Sequence, residues 1–336
     1  MFNDGKRKTM NPRATGMMLT TILCAWLAAV PATQAQTYPA KPIRLVVGFA
    51  AGGGTDYVAR AIAPKLGEAL GQPVIIENKP GAAGTLGNEL VAKAAADGYT
   101  LLAAAAGPMT VAPNFLAKLP YDTFKDFEPV ALIVTSPFVL VVNPTLPVRT
   151  LADFNAAAKA KPGSINFGSS GTGGSPHLAG ELYKRMAGID IVHVPYKGLA
   201  PALTDLLGGQ IQAVFADIGL ALKQIEAGKL RPLAVTGPQR FAALPAVPTV
   251  MESGVPGYRA ETWYGLVAPA GVPAPIVSRL HAETRKALAA PELQGQLASQ
   301  GLVPANLSSA EFGAMIREDF NKWGRLIKDA NIQQTP

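Results

Sequence analysis

A short apolar strand that enters a glycine-rich turn and then a helix is the feature that most constrains this chain. Residues Ile43–Asp56 read IRLVVGFAAGGGTD, with a predicted strand over Ile43–Val47 and a turn over Gly48–Gly54. The helix is predicted to begin at Thr55 or Asp56. Glycines let successive backbone N–H groups converge, and a helix N-terminus adds partial positive charge. The pattern therefore predicts an anion-binding loop.

A second stretch repeats this arrangement. Residues Ser164–His177 read SINFGSSGTGGSPH, which again is a short strand, a Gly/Ser/Thr loop and a helix start. Ser175 is the predicted N-cap, with Pro176 at the first helical position. Two such loops facing each other would bind an anion without arginine or lysine.

Strand and helix patterns alternate along the chain, which predicts an α/β protein with mixed, mostly parallel sheets flanked by helices. At 336 residues the chain is long enough for two domains. Residues 130–142 are predicted to form two strands that pass through Ser136-Pro137, because a proline disrupts the middle of a ladder. We place a domain crossover there. The predicted domains are residues 37–137 with 251–336, and residues 138–250.

The N-terminal residues have the pattern of a secretory signal. Basic residues come first, Met17–Val30 forms an apolar segment, and small residues precede a cleavage site predicted after Ala35. The apolar segment is short for a membrane span, which needs about 20 residues. The single cysteine, Cys24, lies inside this segment, where Leu23 argues against a lipid anchor. Export without disulfides favours a bacterial periplasm.

Composition and motifs argue against several function classes. The net charge of +7 is scattered, so nucleic-acid binding is not predicted. The glycines lack the spacing of a dinucleotide site, and no lysine of a P-loop follows them. Three histidines and no mature cysteine give no metal-ligand spacing, and no cofactor is expected. The residues around Ser170 are not G-x-S-x-G, because Thr172 replaces the last glycine. We predict no catalysis; the alternative is a secreted hydrolase or other enzyme acting on a small carboxylic acid.

Six collinear segments resemble the Bug family, the periplasmic solute-binding proteins of tripartite tricarboxylate transporters. The resemblance spans the mature chain, and six segments in order are far more specific than one glycine loop. The segments are YPAKPIRLVVGFAAGGGTD (38–56), PVIIENKPGAAGTLGNELVAKAAADGYTLL (73–102), INFGSSGTGGSPHLAGEL (165–182), VHVPYKG (192–198), LLGGQIQAVF (206–215) and AGKLRPLAVTG (227–237).

This resemblance implies a type II periplasmic binding protein, a Venus flytrap of two α/β domains that closes on a small carboxylated ligand. It also implies delivery of the ligand to the membrane permease subunits of such a transporter; we expect a monomer. The two glycine loops would hold one ligand carboxylate, and a third loop and Asp217 would contribute selectivity. The residues predicted to bind ligand are Phe49, Ala50, Gly53, Gly54, Thr55, Asp56, Ala83, Thr85, Ser169, Ser170, Gly171, Thr172, Gly173, Ser175, His177 and Asp217. From its position alone, His177 is predicted to be a solvated or capping histidine rather than a base.

Overall fold

A computed structural model describes residues 38–332, together with Met1, Phe2 and Gly5. The predicted signal segment and the cleavage site after Ala35 lie outside these described residues. Residues from Pro39 onward form one compact unit. Within the described part of the chain, no helix combines the length and the apolar character needed to cross a membrane.

Strands and helices alternate through most of this unit. Its strands are β1 (Ile43–Val47), β2 (Val74–Asn78), β3 (Thr100–Ala105), β4 (Phe127–Val142), β5 (Asn166–Ser169), β6 (Val192–Pro195), β7 (Ala213–Asp217), β8 (Arg231–Val235), β9 (Glu261–Pro269) and β10 (Val303–Pro304). Its helices are α1 (Gly54–Leu70), α2 (Thr85–Ala92), α3 (Ala112–Phe115), α4 (Leu151–Ala160), α5 (Ser175–Ala187), α6 (Leu199–Leu207), α7 (Ile218–Glu226), α8 (Ala274–Leu288), α9 (Pro291–Ala298) and α10 (Ser309–Asp329). A π-helical turn over Gly107–Val111, which the sequence patterns did not indicate, leads into α3.

The strands form a mixed sheet in the order β2-β1-β3-β9-β4-β7-β5-β6, with β8 and β10 also paired to β4. The pairs of β1 with β2 and β3, and of β5 with β6 and β7, are parallel. All pairs of β4 and β9 are antiparallel, so the antiparallel share is larger than the βαβ pattern indicated.

Strand β4 joins the two halves of the sheet. Residues up to Pro137 pair with β9, whereas Phe138 onward pairs with β7 and β8. The sequence predicted two strands here, and the structure has one continuous strand that changes partners at Pro137. The proline is accommodated because it lies at the change of partner.

Each half has its own buried core. Side chains around Trp263 and Phe312 fill the first half, while Phe167, Tyr183 and Phe215 lie at the centre of the second. The segment before β9 packs into the second core through Val255, Tyr258 and Ala260, as does the C-terminal turn of α10. The fold is therefore α/β, with one mixed sheet whose two halves each have their own core.

Capping side chains begin two of the helices, and a glycine caps α5. Thr150 and Ser308 form capping boxes with Asp153 and Glu311 at the starts of α4 and α10. At α5 the N-cap is Gly174, whose backbone is extended (φ −67°, ψ 155°), so Ser175 is the first helical residue instead of the predicted cap.

Candidate functional site

The first loop (Gly48–Gly53) connects β1 to α1. Its positive backbone angle is at Gly52 (φ +89°), while Gly53 is an extended N-cap (φ −79°, ψ 169°). Among the described residues, the N–H groups of Gly54, Thr55 and Asp56 have no hydrogen-bond acceptor. Gly54 is exposed, so the first turn of α1 presents donors to solvent at the carboxyl end of β1.

The Asp56 side chain supports this loop from behind. Its buried carboxylate accepts hydrogen bonds from the Gly52 N–H at 2.8 Å, Arg60 Nε at 2.9 Å and Asn78 Nδ2 at 2.8 Å. Asn78 Nδ2 also donates to the Phe49 carbonyl at 3.0 Å. The hydrogen bond from Arg60, helped by those from Gly52 and Asn78, lowers the Asp56 pKa to about 2. Asp56 therefore orders the loop rather than offering its side chain to a ligand.

The third loop (Gly81–Gly84) packs directly on the first. A Cβ at Gly48 would lie 2.6 Å from the Gly84 carbonyl oxygen, and one at Gly84 would lie 2.7 Å from the Phe49 ring. The exposed Ala82 and Ala83 have positive φ angles of 45° and 54°. The predicted residue Thr85 is buried, with its hydroxyl donated to the Ala82 carbonyl at 2.9 Å.

The second loop (Ser170–Gly174) connects β5 to α5. Within the described residues, the Ser170, Ser175 and His177 N–H groups have no acceptor. The Ser170 hydroxyl lies 2.8 Å from the point that a Cβ at Gly174 would occupy, so it sits over the start of α5. This end of the loop presents a hydroxyl and backbone donors together.

Two stacked histidines lie beneath this loop. The Gly173 N–H donates to His177 Nδ1 at 3.0 Å, and Ser169 Oγ contacts His193 Nε2 at 2.6 Å. The Gly171 N–H donates to Ser169 Oγ at 3.1 Å. When the His193 ring is neutral, the Ser169 hydroxyl can donate to His193 Nε2 while it accepts from the Gly171 N–H. The Gly171 and Gly173 N–H groups are thus already used, and Ser169 and His177 are buried supports. The expectation of a solvated His177 is wrong, because its ring is buried beneath the loop. The capping alternative fits the contact of Nδ1 with the Gly173 N–H just before α5.

Burial controls the ionisation of this pair. It lowers the pKa of His177 to about 3, with further contributions from His193 and Lys184, and that of His193 to about 4. Burial also raises the pKa of Glu181, whose Oε1 lies 3.8 Å from His177 Nε2. Both imidazoles are therefore neutral at pH 7.

Asp217 and Tyr264 lie near the point where β4 passes from one half of the sheet to the other. Asp217 ends β7 opposite Phe138, and Tyr264 in β9 pairs with Val134, so both flank the crossover of β4. A Cβ at Gly54 would lie 2.5 Å from Tyr264 Oη. The charge of Asp217 contributes to a raised Tyr264 pKa, after the larger effect of burial.

The second loop shares this edge. Strand β5 is parallel to β7, with Gly168 opposite Val214, so the second loop and Asp217 extend from the same end of adjacent strands. The carboxyl ends of parallel strands are where α/β sheets bind ligands. Some of the predicted residues carry donors at this edge of the sheet. Others are buried and support the loops from behind; these are Asp56, Thr85, Ser169 and His177. Ala50 of the first loop and Ala83 of the third loop are exposed.

The patterns missed three contributors: Asn78, His193 and Tyr264. Asn78 is the last residue of β2, directly before a glycine-rich turn, which is a usable signal, but His193 and Tyr264 are ordinary strand residues. Elsewhere, a groove of about 730 Å³ lies open to solvent along α1 and β2 near Pro64 and Gln72. It draws residues from one half of the sheet only. Across the described residues, no three His, Cys, Asp or Glu side chains are grouped to hold a metal ion.

The chain is similar to known proteins over most of its length. Residues 58–332 match the family model described as "Tripartite tricarboxylate transporter family receptor". Protein BugT of Bordetella pertussis is 36% identical over 300 residues, covering 89% of this chain and 92% of BugT.

Two similar solved structures carry ligands in their names. Rpa4515 of R. palustris, with adipate, is 35% identical with a TM-score of 0.76, covering 88% of this chain and 99% of that one. MatC of Rhodopseudomonas palustris, with bound malate, is 33% identical with a TM-score of 0.71, covering 86% and 100%. The chain belongs to the tripartite tricarboxylate transporter receptor family.

Proposed function

We propose that this protein is a solute-binding receptor that holds a small carboxylate between its two lobes and presents it to a tripartite tricarboxylate-type permease. The observation that carries this proposal is the pair of helix starts with unpartnered N–H groups, at α1 and α5. Backbone donors at helix N-termini stabilise an anion without a cationic side chain.

The proposed contacts come from both lobes. The N–H groups of Gly54, Thr55 and Asp56 would bind one carboxylate oxygen from the first lobe, while donors of the second loop would bind the other. The Ser170 hydroxyl and the Ser175 N–H are the proposed partners there. Phe49, Ala83 and Asp217 would surround the rest of the ligand. Adipate and malate, the ligands named for two related structures, are both dicarboxylates, which supports a carboxylate as the group recognised.

Binding would be coupled to lobe closure. We propose a first hinge at Pro137–Phe138, where β4 changes partners. The predicted return near Met251 is proposed to lie closer to Ala260, because Val255 and Tyr258 pack in the second core. A ligand that contacts both lobes only in the closed state shifts the population toward that state.

Delivery to a permease requires export. We propose that cleavage after Ala35 releases the mature protein into the periplasm, where it acts as a monomer. N-terminal sequencing should begin at Gln36, and light scattering should give the mass of one chain. Met1 on the mature protein, or a stable dimer, would contradict these statements.

Catalysis is not part of the proposed function. Ser169 and His193 are in contact, which is the pairing that an activated serine would need. Ser169 is fully buried, however, and its hydroxyl is used to order the second loop. Prolonged incubation with a bound acid should leave the acid unchanged.

Calorimetry with an acid and its primary amide tests the proposal. Succinate, adipate, glutamate and benzoate would first be screened by thermal shift; a ligand at 100 times its dissociation constant should add about 2.7 kcal/mol. The best ligand is then compared with its amide, which presents an NH₂ group to the backbone donors. Loss of one or two charge-assisted hydrogen bonds should weaken binding roughly tenfold to several thousandfold. Equal affinities would show that the loops do not bind an anion.

A further inference from the structure

Asp217 is a carboxylate without a partner at the proposed site. It occupies the N-cap position of α7, yet its side chain makes no capping hydrogen bond. In the part of the chain that the structure describes, it makes no side-chain hydrogen bond or ion pair. It is only partly exposed to solvent. This burial raises its pKa to about 6.

The surroundings of Asp217 connect it to the anion donors. Tyr264 is close enough for the Asp217 charge to raise its pKa, and the Tyr264 hydroxyl lies against Gly54, whose N–H faces the proposed ligand carboxylate. Strand β7, which ends at Asp217, is the parallel neighbour of β5, so the Asp217 carboxylate and the second loop lie at the same edge of the sheet. Neighbouring carboxylates of protein and ligand repel each other unless a donor lies between them.

We propose that Asp217 accepts a hydrogen bond from the ligand, and that the preferred ligands are carboxylic acids with a hydroxyl or ammonium group next to the carboxylate. This inference rests on the proposed function. A partly exposed acceptor that has no protein partner discriminates between ligands, because a bound acid that lacks the donor shields the acceptor from water and leaves it unpaired. Asp217 is thus a specificity-determining residue.

Matched acids test this inference by titration calorimetry at pH 7.5. Each set shares one carbon skeleton and differs only at the 2-position: succinate, malate and aspartate; glutarate, 2-hydroxyglutarate and glutamate; propionate, lactate and alanine. In the unaltered protein, the hydroxy or amino acid of the best-fitting set should bind about ten- to a hundredfold more tightly than the unsubstituted acid.

Three variants assign that preference to Asp217. Asp217→Ala should abolish the preference for both the hydroxy acid and the amino acid. Asp217→Asn keeps an acceptor oxygen and loses the charge, so it should retain most of a hydroxyl preference and lose an ammonium preference. Asp190→Asn removes an exposed carboxylate of the same lobe, which pairs with Lys184, and should change nothing. Circular dichroism confirms that each variant is folded.

The outcomes separate the inference from the proposed function. If the unsubstituted acids bind as tightly as their substituted partners, the inference is overturned and the receptor function stands. A 2-substituent preference that survives Asp217→Ala also overturns it, because the donor is then received elsewhere. If none of the nine acids, adipate or benzoate binds, the proposed function fails and the inference with it.

Discussion

The imidazole rings of His177 and His193 stack beneath the second loop, with 3.7 Å between their centroids and 20° between their planes. Phe167 packs beside both rings. Each histidine serves a different part of the loop, His177 through the Gly173 N–H and His193 through Ser169. A pair of neutral rings therefore holds a loop in which, among the described residues, the Ser170 and Ser175 N–H groups have no acceptor.

Stability should fall on acidification because of this pair. Above pH 6.5, both histidines are neutral in the folded and unfolded chains. Their folded pKa values are lowered to about 3 and about 4, so as pH falls below 6.5 the unfolded chain binds protons that the folded chain does not. Each histidine can lower the free energy of unfolding by up to about 1.4 kcal/mol per pH unit in this window.

Urea unfolding of the wild type and of His193→Phe, at several values between pH 8 and pH 4.5, measures this effect. Asp217 and Glu181 have raised pKa values and act in the opposite direction, so the difference between the two proteins is the informative quantity. The variant should lose stability less steeply below pH 6.5 than the wild type. Parallel curves would mean that His193 is protonated in the folded protein.

His177 should matter for ligand affinity through its Nδ1 atom alone. His177→Phe keeps a flat ring for stacking and removes the acceptor of the Gly173 N–H, so the loop loses one constraint. We expect binding of the best acid to weaken by about five- to tenfold, in line with about 1–1.4 kcal/mol for one hydrogen bond. His177→Asn offers Oδ1 near the Nδ1 position and should bind within a few-fold of wild type. Calorimetry at pH 7.5 compares the two; equal weakening would assign the effect to ring size instead.

Much of the fold could be predicted because its signals are local. The capping boxes at Thr150 and Ser308 are each four residues long, and the two strand-loop-helix units are contiguous in sequence. The change of partners at Pro137 was also predictable, because proline lacks the N–H that a ladder needs. The continuity of β4 as one strand was not predictable, because it depends on the strands that pair with it on each side.

The contacts of the site were less predictable than its position. Glycine patterns locate the loops, but they do not tell which N–H groups are used internally. The Gly173 N–H donates to His177 and the Gly52 N–H donates to Asp56, and in each case the acceptor lies four residues further along the chain. The contact between Ser169 and His193 depends instead on the register of β5 with β6. Tyr264 reaches Gly54 across 210 positions through the pairing of β9 with β3, and no local pattern contains that information.

Removing the charge of Asp56 should loosen the first loop. Asp56→Asn loses the ion pair with Arg60 at 2.9 Å and weakens the hydrogen bond from the Gly52 N–H. We expect a loss of about 1.5–3 kcal/mol in the free energy of unfolding, the range for hydrogen bonds to a charged group, and weaker ligand binding. Glu68→Gln is the control, because it makes the same charge change on the same helix. Glu68 is exposed and lies 3.8 Å from Lys65, so this variant should lower the free energy of unfolding by less than about 0.5 kcal/mol. Similar losses in the two variants at pH 7 would show that Asp56 is an ordinary surface acid.

Adjacent glycines should respond differently to the same substitution. A methyl group at Gly54 would lie 2.5 Å from Tyr264 Oη, so Gly54→Ala must displace the tyrosine that separates the first loop from Asp217. At Gly53 the nearest atom is the Ala50 carbonyl oxygen at 3.7 Å, and φ is −79°, which alanine adopts without strain. We expect Gly54→Ala to lower the free energy of unfolding by about 1–3 kcal/mol and to weaken ligand binding at least tenfold. Gly53→Ala changes only the N-cap residue, so it should cost under about 1 kcal/mol and bind the ligand nearly as well as wild type. Urea unfolding and calorimetry with the best acid measure both quantities. A double variant, Gly54→Ala with Tyr264→Phe, should recover stability because the hydroxyl that meets the new methyl is gone, and failure to recover would place the conflict elsewhere in the loop.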